Sequence, residues 1–174
     1  MRWLAILALA LTLAGCRDRD RARGAARRAS SGAHAAPRKE GDPIYDDQAD
    51  AEGEVADAIA EAKGARKRVL IVLGANWCPW CRRLDATLAG DPEVSSRLAA
   101  AFVVVHVSTG DRGSDVNAEL VRRYLPGSSL SLPFLIVLDG EGQVVARQQT
   151  GPLEDGDHHD PARIAAFLDG VRGS

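Results

Sequence analysis

A continuous apolar run at residues 69–73 ends just before Trp77-Cys78-Pro79-Trp80-Cys81, and this junction constrains the fold more than any other feature of the chain. An unbroken aliphatic run suits a strand buried on both faces, because alternation is needed only where one face meets water. Such a strand requires other layers packed on either side. Pro79 fits the first position of a helix, where a missing N–H is harmless, and Leu84 and Leu88 carry helical spacing across 79–88. The two cysteines therefore stand where a buried strand gives way to a helix. Unpaired backbone N–H groups and the helix dipole favour negative charge there, which predicts a stabilised Cys78 thiolate. Cys81, one turn further on, is placed to attack a mixed disulfide formed at Cys78 and release its partner. Arg82 and Arg83 either add positive potential or simply face solvent. Trp77 and Trp80 offer a flat apolar rim to a partner polypeptide, with a core position as the other reading of Trp77.

The remaining pattern predicts an α/β domain. A helix is expected over 49–63, where Val55 and Ile59 lie one turn apart. Asp91-Pro92-Glu93 opens a second short helix after the motif, with a capping residue and a proline at its first position. Residues 102–107 read as another buried strand. The segment 115–125 reads as a helix with Val116, Leu120, Val121 and Tyr124 on its apolar side. Strands at 134–138 and 143–149 flank Asp139-Gly140-Glu141-Gly142, a turn signal that makes them an antiparallel hairpin. Asp160-Pro161 caps a last helix carrying Ile164, Phe167 and Leu168. This order implies a mixed central sheet with helices on both faces.

The motif at 77–81 after the apolar run, together with Leu132-Pro133-Phe134 entering a strand, resembles the thioredoxin superfamily. The resemblance covers residues 44–170. It implies a thioredoxin-like fold, thiol–disulfide exchange with no organic cofactor, catalytic roles for Cys78 and Cys81, and a Pro133 in the cis state that faces the pair and helps position a substrate backbone. Only an X–Pro bond takes the cis form cheaply. Leu132, Trp77 and Trp80 would then contact the substrate, and Thr150-Gly151 matches the glycine expected after the last strand. One departure is informative. Thioredoxins proper carry a buried aspartate six positions before the first cysteine, and Val72 stands there, so a proton-exchanging group near Cys81 is missing. The middle pair Pro79-Trp80 also differs from that of thioredoxin, in a place where the family tunes its potential. About 30 mV corresponds to 1.4 kcal/mol for this two-electron couple. The similarity to thioredoxin-like bacterial lipoproteins and periplasmic reductant-relay domains implies a reductase or isomerase, with protein thiols and disulfides as substrates and a separate redox partner that resets the pair.

The first residues belong to export rather than to the core. Arg2 is followed by an apolar run over 3–13 and by Leu13-Ala14-Gly15-Cys16, the pattern of a signal peptide over 1–15. A spanning helix needs roughly 18 to 20 apolar residues. Leu13-Ala14-Gly15-Cys16 also resembles the lipobox of bacterial lipoproteins, which implies cleavage before Cys16 and a lipid on its thiol. Each buried methylene of an acyl chain contributes about 0.8 kcal/mol, so several chains would hold the protein at a membrane, facing the periplasm, where disulfides persist. Residues 16–43 form the lipidated N-terminus and a basic tether, and residues 44–174 the folded domain. Within 17–39, eight basic residues stand against two acidic ones, suiting either contact with anionic headgroups or a solvated spacer. Residues 41–174 carry 13 basic and 21 acidic side chains, a net charge of −8 that the whole-chain value of −2 conceals. Nucleic acid is excluded as a partner by export and by the lack of aromatic platforms beside the arginines.

The motif has two other possible uses. A Cu(I)-binding delivery module would use the two thiolates as soft ligands, but Met1 is the single methionine. A redox-inert interaction platform would keep the pair as a structural disulfide, yet a bridge across three residues constrains the unfolded chain little. His158 and His159, between Asp157 and Asp160, lack the further ligands that an ion requires. No metal site is expected. His106, inside an apolar strand, reads as a satisfied core histidine, and residues 108–114 as a surface loop near the edge of the active site.

Overall fold

The computed structural model describes residues 41–127 and 129–173. Helix α1 (Ala51–Ala65) starts on Asp50, whose carboxylate accepts the Gly53 N–H, and ends at Arg66 in the left-handed conformation. Strand β1 (Arg68–Gly74) follows, buried from Val69 onward. Helices α2 (Pro79–Gly90) and α3 (Pro92–Ala101) come next, the second capped by Asp91, which accepts the N–H groups of Glu93 and Val94. Strand β2 (Phe102–Ser108), helix α4 (Ala118–Tyr124), strands β3 (Phe134–Leu138) and β4 (Val144–Gln149), a two-strand ribbon of β5 (Glu154–Asp155) and β6 (His158–His159), and helix α5 (Pro161–Val171) complete the chain. Among the described residues no helix is long and apolar enough to cross a membrane.

The main sheet runs β2-β1-β3-β4, with β1 parallel to β2 and antiparallel to β3, and β3 antiparallel to β4. It is the mixed sheet that the element order predicts. Side chains alternate across β1. Val69, Ile71 and Leu73 pack beneath α1 and α4 with Val55, Ala58, Ala62, Leu120 and Tyr124. Leu70 and Val72 pack under α2, α3 and α5 with Leu84, Leu88, Leu98, Ile164 and Leu168. Helices on both faces explain why β1 is apolar throughout. Each fully buried aliphatic side chain contributes about 1.5–3 kcal/mol, and Val69, Leu70, Ile71 and Leu73 are wholly shielded.

Two elements depart from the sequence reading. Helix α4 starts at Ala118 rather than 115, because Asn117 takes φ +55° and its side-chain amide donates to the Ser108 carbonyl. Tied back to the end of β2, Asn117 delays the helix, and Val116 falls outside it. The β5–β6 ribbon is the second difference. Its strands are two residues long and turn through Gly156 at φ +61°.

Register brings the site together. Leu73 pairs with Phe134 across β1 and β3, while Gly74 pairs with Ser108 across β1 and β2. Leu132 and Pro133 therefore arrive at the same end of the sheet as Gly74 and the motif that follows it.

Candidate active site

Cys78 is the N-cap of α2. Its backbone is extended, Pro79 occupies the first helical position, and its Sγ accepts the Cys81 N–H at 3.2 Å. A sulfur thus fills the place that Ser or Asp usually takes at a helix start. Among the first backbone donors of α2, the Cys81 N–H points at sulfur, which favours an anion there. Cys78 and Cys81 are free thiols, and both are buried, at 5% and 1% exposure.

The second sulfur lives differently. Burial foremost, and then its contact with Cys78, push the Cys81 thiol from 9.0 up to about 12, against an opposing pull from the Ala75 backbone. Cys81 is a protonated thiol at neutral pH. It belongs to a small cluster with Ile44, Tyr45, Ala75 and Cys78, against which Trp80 and Leu132 pack. The Leu132–Pro133 peptide bond is cis, as the thioredoxin resemblance implies. Pro133 is buried, and its carbonyl accepts the Thr150 hydroxyl at 3.1 Å, linking the start of β3 to the end of β4.

The structure gathers Cys78, Cys81, Trp80 and Leu132, while Trp77 turns aside. Its indole N–H donates to the Gly110 carbonyl at 2.9 Å, and the Arg112 guanidinium lies 3.8 Å from its ring centroid. Trp77 remains 37% exposed, so the rim expected from sequence is an indole covered on one face by an arginine. Arg83 stacks 4.6 Å from the Trp80 ring, and Arg82 donates to the Asp42 carbonyl at 3.2 Å. These two arginines are engaged with the site's borders, beyond the solvated face that charge pattern alone suggests. Residues 108–114 flank the rim through Gly110 and Arg112. Cys16 lies outside the described residues.

His158 and His159 are neighbours on a strand and point to opposite sides. His158 is exposed and His159 fully buried. The His159 ring meets Trp80 edge-on at 5.4 Å, and desolvation first, then Arg83 and His158, lower its pKa from 6.5 to about 4. Neutral His159 supports Trp80 from below. His106 corrects the reading of a satisfied core histidine. It is partly exposed, and its Nε2 lies 3.4 Å from Asp85 Oδ1 but makes no hydrogen bond.

Further residues that the sequence pattern does not single out complete the site. Asn76 holds the segment before α1 in place: its Oδ1 accepts the N–H groups of Ile44 (2.9 Å) and Tyr45 (3.1 Å), and its Nδ2 donates to the Tyr45 carbonyl (2.8 Å). The Ser108 hydroxyl donates to Asp47 further along the same segment. This strap lays Tyr45 against Cys81. Gly74 lets it approach, since a Cβ there would collide with the Tyr45 hydroxyl and stand 2.9 Å from Cys81 Sγ. Asp85, one turn after Cys81 on α2, faces His106. An Asn directly before the motif was the one local hint, because Asn side chains commonly pair with nearby backbone in turns.

Comparison with known proteins agrees with this geometry. Residues 55–157 match the model of the thioredoxin-like domain. The chain belongs to the thioredoxin-like family of thiol–disulfide oxidoreductases. It is 29% identical over 116 residues to the thiol:disulfide interchange protein DsbD of Escherichia coli K12, an alignment covering 67% of this chain. The chain spans only 17% of the length of that protein. The crystal structure of a disulphide isomerase from Xylella fastidiosa Temecula1 superposes with a TM-score of 0.66 and 31% identity, covering 75% of this chain and 97% of that one. The DsbD C-terminal domain of Neisseria meningitidis in its oxidised form superposes with a TM-score of 0.52 at 18% identity, covering 71% and 97%, a likeness of fold alone.

Proposed function

We infer that this thioredoxin-like chain reduces or isomerises protein disulfides in the cell envelope, with Cys78 as the attacking sulfur and Cys81 as the resolving one. The observation that carries the reading is the placement of Cys78 as N-cap of α2, its Sγ accepting the Cys81 N–H, while burial keeps Cys81 protonated. The Cys78 thiolate attacks a substrate disulfide, forming one S–S bond and expelling one substrate thiolate. Cys81 then loses its proton and attacks Cys78 Sγ, expelling the second substrate thiolate. The substrate gains two electrons and the pair is left as a disulfide, to be reset by a reduced dithiol partner. In isomerisation another thiol of the substrate attacks the substrate sulfur held by Cys78 instead, a new substrate disulfide forms, Cys78 leaves as its thiolate, and no net electrons pass.

Leu132, Pro133 and Trp80 border the pair and supply the surface on which a polypeptide lies, with Trp77 and Arg112 as its outer edge. The envelope location draws support from the export and lipobox patterns in the first 16 residues, with lipid on Cys16 as the membrane attachment. The test is the dithiothreitol-driven reduction of insulin by the purified protein. Wild type is expected to accelerate it, Cys78→Ser to lose the acceleration, and Cys81→Ser to accumulate a covalent adduct at Cys78. Equal rates for wild type and Cys78→Ser end this reading.

A further inference from the structure

The resolving half-reaction sets a problem that Cys78 does not share. Cys81 is 1% exposed and holds its proton firmly, yet it attacks only after that proton has gone. Water has little access, and the neighbouring position on β1 is Val72, packed among Leu70, Leu84 and Leu88. The route must run through some other group.

Tyr45 is that group's place in the fold. The strap pinned by Asn76 delivers it to Cys81, and Gly74 leaves room for its hydroxyl beside the sulfur. The residue is 3% exposed, and its buried hydroxyl lies against the Cys81 thiol. Burial first, followed by the charges of Cys81, Asp85 and Cys78, raises its pKa well above 10, which keeps it a neutral hydroxyl able both to accept and to donate. Its ring meets His106 edge-on at 5.7 Å, and His106 Nε2 stands 3.4 Å from Asp85. The His106 and Asp85 side chains are 21% and 12% exposed, so this pair reaches water while Cys81 does not.

We propose that Tyr45 is a catalytic residue of the resolving step: its oxygen takes the Cys81 thiol proton as its own proton passes to the Asp85–His106 pair. The inference rests on the exchange function above. The Cys81 S–H bond breaks and the Cys81–Cys78 bond forms. The bond from Cys78 to the substrate breaks, and the leaving sulfur carries its electron pair away as a thiolate. The proton ends on the Asp85–His106 pair and from there reaches solvent. Tyr45 finishes as it began.

The experiment uses the reduced chain with Cys16→Ala, so that Cys78 and Cys81 are its two thiols, and 5,5′-dithiobis(2-nitrobenzoate). Attack by Cys78 releases a first nitrothiobenzoate, and closure by Cys81 releases a second, so the two steps appear as two phases of one absorbance trace. Tyr45→Phe removes one oxygen and keeps the ring. It is expected to hold the first phase within about twofold and to slow the second tenfold or more, toward the roughly 10²-fold contribution typical of acid–base groups. Asp85→Asn is expected to slow the same phase, and the double variant to be no slower than the slower single, as for groups acting in one chain. Unchanged closure in Tyr45→Phe, equal slowing of both phases, or multiplicative effects in the double variant each overturn the relay. A wild-type chain that gives a first phase and no second defeats the exchange function as well, which separates the two failures.

Discussion

Cys78 and Cys81 stand one helical turn apart and occupy unlike settings. Cys78 caps α2, has a backbone donor directed at its sulfur, and lies beside the arginine-backed indoles of Trp77 and Trp80. Cys81 faces the interior, walled by Ala75, Ile44 and Tyr45, and burial holds its proton. A symmetric pair would not know which sulfur attacks first. Here a backbone donor is directed at one sulfur while burial and the neighbouring Cys78 hold the proton on the other, and the proposed order of attack rests on that difference.

The sharpest way to break the contrast is to release the strap. Asn76→Ala removes three hydrogen bonds to Ile44 and Tyr45. At about 1 kcal/mol each, the expected loss is on the order of 3 kcal/mol in urea unfolding, together with faster alkylation of Cys81 and little change at Cys78. Unaltered stability and an unaltered Cys81 would show that the strap does not hold the inner side.

A gentler perturbation acts on the outer side through His159. Its pKa in the fold, about 4, lies below the ordinary 6.5. Between those values the unfolded chain binds a proton that the folded one refuses, so stability present above pH 6.5 is lost as pH falls toward 4. The loss is expected to be on the order of 1 kcal/mol at pH 5. His159→Leu should flatten that part of the stability-against-pH curve and leave the neutral-pH order of cysteine reactivity unchanged. A variant whose curve keeps the wild-type slope would assign the acid sensitivity elsewhere.

How legible this was from sequence follows the range of each interaction. The cysteines, their helix and Pro79 are local, and their spacing announced them. The sheet was equally open to reading, because β1, β2 and β3 sit under helices and are apolar almost throughout. The place of Leu132 and Pro133 was available through a family resemblance, and the Leu73–Phe134 register shows how they reach the site. Tyr45 left no trace in the pattern. It meets Cys81 across the whole of α1 and β1, and an aromatic residue just after a polar stretch resembles any other start of a domain. The β5–β6 ribbon was equally silent, since strands of two residues carry no periodicity, and with it went the burial of His159 beneath Trp80.

The most direct test of the contrast between the two sulfurs is the rate at which each is alkylated in the same molecule. Reduced protein treated briefly with iodoacetamide at pH 7, digested and sequenced by tandem mass spectrometry, should carry the label on Cys78 at least an order of magnitude more often than on Cys81. Equal labelling, or a preference for Cys81, would contradict the account.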